Sequence, residues 1–142
     1  MRARVRNPEE SPESGLVPVG AGREVAMDFD ISLMKDERCT LVRVQGDIDV
    51  VSRARFEEAL FEVVDSGEPL VVDMRQVTFC DSTGLNAIVA ANRRAGEHGT
   101  TVSLVALPPR VQRVFRITGI DKFVPIYDTL REAIGALPSA TS

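Results

Sequence analysis

The chain has no tryptophan, one tyrosine and one histidine in 142 residues. With no Trp and few aromatics, the core must be built mainly from Val, Leu, Ile and Ala, which together with the other apolar types make up 44% of the chain. A lone histidine, His98, leaves little room for imidazole-based catalysis or metal binding. The two cysteines, Cys39 and Cys80, lie inside apolar stretches and have neither zinc-site nor redox-pair spacing, so they are expected to be buried thiols. A basic excess is also missing. The net charge is −4, which argues against nucleic-acid binding. No apolar run approaches the roughly 20 residues of a membrane span, and the N-terminus lacks the apolar segment of a signal peptide. A cytoplasmic protein without membrane contact is the expectation.

What is present is one domain's worth of alternating elements. Residues 1–25 carry Pro8, Pro12 and Pro18, a basic start (Arg2, Arg4, Arg6) and then Glu9, Glu10 and Glu13, with no period of 2 or 3.6. They are expected to form a disordered tail, with residues 26–138 as the domain. Met27–Met34 alternates apolar and polar residues as a half-buried strand does, and Cys39–Val44 makes it a hairpin. Ser52 precedes a helical stripe of Phe56, Ala59, Leu60, Val63 and Val64, and is placed as its N-cap. Leu70–Met74 reads as a strand buried on both faces. Thr101–Leu107 and Phe123–Tyr127 supply two more strands. Pro109 and Gly119 bracket a helix bearing Val111, Val114, Phe115 and Thr118. Thr129 and Glu132 form a capping box ahead of Leu130, Ile134 and Leu137. The order ββαβαβαβα predicts an α/β fold: a mixed, mostly parallel five-stranded sheet covered by about four helices.

The central stretch is Val71 to Ala95. Its strand is expected to end near Met74 and, after a polar step at Arg75–Gln76, to turn through Phe79-Cys80-Asp81-Ser82-Thr83-Gly84 into a helix. Leu85, Ile88, Val89 and Asn92 give that helix its apolar face, with alanines beside it. Two hydroxyls therefore stand at a helix start, where free N–H groups and the helix dipole favour a phosphate. Either Asp81 or Ser82 can be the N-cap. Gly84 costs helix stability there, which calls for a close approach by a partner or by the strand. No enzymatic reading fits Ser82, because His98 stands sixteen residues along the helix, about 24 Å away at about 1.5 Å per residue. Neither a glycine-rich phosphate loop nor a metal-ligand cluster is present, so no cofactor and no metal are expected. Asp73 at a strand end invites comparison with a phosphoaspartate receiver, but the required acidic pair and lysine cannot be assigned.

Asp81-Ser82-Thr83-Gly84-Leu85, with Phe79-Cys80 before it, resembles the signature of the anti-sigma factor antagonists, bacterial members of the STAS domain family. Gly46-Asp47-Ile48-Asp49 is similar to that family's earlier acidic motif, and Phe115-Arg116-Ile117-Thr118-Gly119-Ile120 to a later one. Asp47 stands where Glu is commoner, and Asn86 where Gly often follows. The resemblance implies a non-enzymatic partner switch acting in transcription regulation and stress response. Unphosphorylated, such a protein binds an anti-sigma factor that is also an ATP-dependent serine kinase, which releases the sigma factor. Phosphorylation of Ser82 switches it off, and a PP2C-like phosphatase resets it. The implied partner-binding residues are Asp47, Asp49, Asp81, Ser82, Thr83, Gly84, Leu85 and Asn86, with Thr83 a contact rather than the acceptor. Weak homodimerisation stays open. The alternative is a STAS-type interaction or ligand-binding module that does not act on a sigma factor, such as a stress-signalling scaffold or a lipid-transport accessory.

Overall fold

The computed structural model describes residues 17–18, 24–26 and 29–138. Five strands and four helices follow the predicted order: β3 (Phe29–Lys35), β4 (Thr40–Ile48), α1 (Arg53–Asp65), β5 (Leu70–Cys80), α2 (Ser82–Glu97), β6 (Val102–Val105), α3 (Pro109–Thr118), β7 (Ile126–Tyr127) and α4 (Leu130–Gly135). Two short strands precede them, β1 (Val17–Pro18) and β2 (Glu24–Ala26), both antiparallel to β3. These pieces of the expected disordered tail are therefore strands, because the edge of β3 offers free backbone groups that need no pattern of their own to be paired. The rest of the tail, and Met27, lie outside the described residues.

The sheet order is β1-β3-β4-β5-β6-β7, with β2 also on β3. The β3–β4 hairpin is antiparallel, and β4, β5, β6 and β7 run parallel. Asp36 closes the hairpin by accepting the Arg38 amide at 2.9 Å. Leu70, Val72 and Met74 face one side of β5 and Val71 the other, and all are buried. Helices α1 and α2 cover the larger core on the first side. On the second, the short α4 covers a smaller core of Met34, Cys39, Leu41, Val71 and Val105.

Four expectations are corrected. Both β4 and β5 run further than predicted, to Ile48 and Cys80, so Arg75, Gln76 and Phe79 belong to a strand rather than a turn. The β4–β5 register shifts between Arg43 and Gln45 and again between Gly46 and Asp47. Such irregularities interrupt the two-residue alternation from which a strand is recognised. Ser52 occupies the α1 N-cap, yet its hydroxyl does not bond the helix; it donates to the Asp47 carbonyl at 2.8 Å. The Thr129–Glu132 box is also shifted: Thr129 Oγ1 accepts the Glu132 amide, but Glu132 Oε1 accepts the Asp128 amide, one residue early. The last two parallel strands are shorter than expected: β6 stops at Val105, before Ala106 at φ 60°, and β7 is only Ile126–Tyr127.

Candidate functional site

The long strands β4 and β5 carry two acidic segments to the same end of the sheet. Asp47 pairs with Phe79 and Ile48 with Cys80, and the Asp81 amide donates to the Ile48 carbonyl at 3.1 Å. Asp47 Oδ1 accepts the Thr78 hydroxyl at 2.5 Å. One residue past β4, Asp49 Oδ1 accepts the Val51 amide at 3.0 Å and the Ser52 amide at 3.2 Å. The Asp49 amide in turn donates to Ser52 Oγ at 3.0 Å. This network fixes the loop and leaves Val50 and Val51 pointing out, 72% and 88% exposed.

Asp81 is the N-cap of α2. Its backbone is extended, and its Oδ1 accepts the Thr83 amide at 2.9 Å, the Gly84 amide at 3.3 Å and the Thr83 hydroxyl at 2.6 Å. The Thr83 hydroxyl, then the backbone donors, hold the Asp81 carboxyl below its ordinary pKa. Ser82 is therefore released from capping. It stands at the first helical position, exposed, and its hydroxyl makes no hydrogen bond among the described residues. Asn86, one turn on, is exposed beside it.

Gly84 and Leu85 face the other way. A Cβ on Gly84 would sit 2.7 Å from both Cys80 Sγ and Ile48 Cγ2, so the helix start lies directly on the two strand ends. That resolves the glycine in favour of strand-to-helix packing. Leu85 is 6% exposed and belongs to the core. Of the eight expected contact residues, these two support the surface from beneath. The other six, Asp47, Asp49, Asp81, Ser82, Thr83 and Asn86, sit around one end of the sheet. Sequence reasoning did not single out the exposed apolar members of this end, Val50, Val51 and Phe79, the last 50% exposed. Their signal is negative: the valines lie between Asp49 and the helix stripe and fit neither period.

Other candidate chemistry is tied up elsewhere. Asp73 is 4% exposed, 3.0 Å from Arg43 Nε through Oδ2 and from the Arg75 amide through Oδ1, an arrangement that fills a buried carboxylate rather than presenting it for phosphorylation. His98 lies past the far end of α2, with Nε2 3.4 Å from Asp65. Burial pushes the thiol pKa of Cys39 up to about 11 and that of Cys80 up to about 12, aided by Asp36 and Asp81 respectively. Among the described residues no group of His, Cys, Asp and Glu could hold a metal ion, and no helix is long and apolar enough to cross a membrane.

The STAS domain family model matches residues 30–133. The anti-sigma-B factor antagonist of Bacillus subtilis is 29% identical over 100 residues, covering 70% of this chain and 92% of that one. The anti-sigma-F factor antagonist RsfB of Mycobacterium tuberculosis is 32% identical over 95 residues, covering 66% and 77%. Among solved structures, an anti-sigma factor antagonist from Mycobacterium paratuberculosis superposes with a TM-score of 0.71 at 33% identity, covering 77% of this chain and 93% of that one.

Proposed function

The chain belongs to the STAS domain family, and we propose that residues 26–138 act as an anti-sigma factor antagonist switched at Ser82, with residues 1–25 as an extension. In this reading the unphosphorylated protein binds an anti-sigma factor with serine kinase activity, and the sigma factor is released. The kinase transfers a phosphoryl group from ATP to Ser82 Oγ, and the hydroxyl proton is lost. A PP2C-like phosphatase hydrolyses the phosphoester and restores the hydroxyl. The chain itself performs no chemistry.

One observation carries the proposal. With Asp81 as the cap, Ser82 is the hydroxyl left outside the capping network, while Thr83 Oγ1 is engaged by Asp81. A kinase meets Ser82 exposed at the centre of the acidic end and Thr83 already bonded. Capping by Asp81 also alters the fate of a phosphate. The Thr83 and Gly84 amides, which would welcome it, already donate to Asp81. The helix dipole still favours the roughly −1.5 to −2 added charges, but the amides do not draw the phosphate inward. It stays outside beside Asp81, Asp47 and Asp49, where it repels an acidic partner surface, changes the fit of any other, and remains open to a phosphatase.

Incubation with the cognate anti-sigma kinase and ATP, followed by peptide mass spectrometry, tests the assignment. A single phosphate on Ser82, absent from Ser82→Ala, is expected. A phosphate on Thr83 in the wild type, or none at all, would contradict it and leave a STAS interaction module without the switch.

A further inference from the structure

Helix α3 carries Arg110, Arg113 and Arg116 and no acid, in a chain whose acids outnumber its bases 21 to 17. All three are exposed, and a spacing of three makes them successive like-charged neighbours, which costs helix stability. Arg110 also stands in the first turn, where the helix dipole disfavours a cation. Arg53, at the same end of the sheet, is paired with Glu57 at 3.5 Å. Arg110 and Arg113 have neither an ion pair nor a side-chain hydrogen bond among the described residues. They line a groove of about 580 Å³, with Pro109 and Val111 beside them and Val77 and Thr78 of β5 opposite.

The groove arises because β5 outruns its neighbour. Strand β6 pairs with it only along Leu70–Asp73, and no other described strand pairs with Met74–Cys80 on that side. A bare strand edge offers backbone donors and acceptors to an extended segment. The strand that walls the groove runs straight on into Asp81 and Ser82. Since β5 lies between β4 and β6, Ser82 has Asp47 and Asp49 on one flank and Arg110 and Arg113 on the other. Asp47 reaches the Thr78 hydroxyl from the β4 side of β5.

We propose that this groove takes an acidic, extended segment of the anti-sigma factor, and that Arg110 and Arg113 fix the orientation in which that partner meets Ser82. The inference rests on the reading of Ser82 given above. The charges select the occupant. A nucleic acid or an anionic lipid surface would lie across the whole end and meet Asp47, Asp49 and Asp81 as well, whereas a short acidic segment fills the groove alone. Opposite charges on the two flanks of Ser82 admit the partner one way round, because the reversed pose sets like charges face to face. The two arginines are positioning residues and touch no reacting atom.

The test compares the full chain with three double variants: Arg110→Glu/Arg113→Glu, Arg110→Lys/Arg113→Lys and Arg116→Glu/Lys122→Glu. Each is titrated into the cognate anti-sigma kinase by calorimetry and then assayed as its substrate with ATP, after circular dichroism has checked folding. Arg110→Glu/Arg113→Glu should bind about tenfold more weakly and raise the KM for phosphorylation, with kcat little changed. The lysine variant should stay within about threefold of the wild type, since it keeps both charges. Arg116 and Lys122 lie outside the groove, so their reversal, an equal change in net charge, should alter affinity by no more than about twofold. Undiminished binding by Arg110→Glu/Arg113→Glu overturns the proposal. So does an equal loss in Arg116→Glu/Lys122→Glu, which makes net charge the cause, or a lysine variant as weak as the glutamate one. A wild type that neither binds nor is phosphorylated refutes the reading of Ser82 itself, and the groove's role falls with it.

Discussion

Asp81 holds the first turn of α2 through one carboxylate oxygen, and its removal has two readable consequences. Asp81→Ala should cost about 0.5–2 kcal/mol, the usual worth of an N-cap, measured as a lowered denaturation midpoint in urea. The cost should also depend on pH. The hydrogen bonds depress the carboxyl's pKa in the folded state, so its stabilising contribution is present above the ordinary carboxylate pKa near 4 and is lost as pH falls through the folded value. Wild type and Asp81→Ala should therefore converge in strongly acid solution, and a gap that persists unchanged would contradict this role. Gly84 makes a steric claim instead. Alanine is the better helix former by up to about 1 kcal/mol, yet its Cβ would enter the space of Cys80 Sγ and Ile48 Cγ2. Gly84→Ala should lower stability by about 1–3 kcal/mol as overpacking does, and a stabilised variant would disprove the contact. The thiols offer a third check. With pKa values of about 11 and 12, thiolate at pH 8 amounts to about a thousandth of Cys39 and a ten-thousandth of Cys80. Ellman's reagent should label neither at an appreciable rate until the protein is unfolded, and rapid labelling of the native chain would contradict their burial.

At the scale of elements, what was legible in the sequence followed period. The stripe Phe56, Ala59, Leu60, Val63 and Val64 is the buried face of α1, residue for residue, because an amphipathic helix declares itself every three to four positions. Helix α2 was found, but its inner face is made mainly of small residues, Gly84, Ala87, Ala91 and Ala95 with Leu85 and Ile88, while Val89 and Asn92 are only partly covered. Small residues carry little hydropathy signal, so the stripe read from large side chains was turned slightly off the true face. The ends of β4 and β5 were not legible as strands. Gly46, at φ 99°, and the shifted register break alternation where the site begins, and Arg75 and Gln76 look like loop when they are the solvent side of an extended strand. The same two strands are tied by the buried Arg43–Asp73 pair, which the sequence offered only as an isolated acid. Asp73→Ala leaves the Arg43 guanidinium without this carboxylate in a site 11% exposed, and should cost about 3–5 kcal/mol in urea denaturation. A loss well under 1 kcal/mol would mean the pair is not holding β4 to β5.

Over the whole molecule, the alternation of strands and helices predicted the α/β layering, and the structure follows it with five strands, four helices and two extra edge strands. The candidate site came into view because three sequence-separated acids, Asp47, Asp49 and Asp81, flank neighbouring strand ends, a juxtaposition that spacing alone does not reveal. The apolar side chains among them, Val50, Val51 and Phe79, were invisible to periodicity because they are exposed and belong to no buried stripe. The sheet fixes the geometry of the Ser82 end beneath the helix start; under the proposed function a phosphate on Ser82 would leave the fold in place and act on the partner. The measurement that tests this most directly is calorimetric titration of the cognate anti-sigma factor with three forms: unphosphorylated wild type, Ser82-phosphorylated wild type and Ser82→Ala. The account predicts similar affinity for the first and third and a loss of roughly 5- to 150-fold for the phosphorylated form, the usual range of regulatory coupling. Equal binding by all three would contradict it.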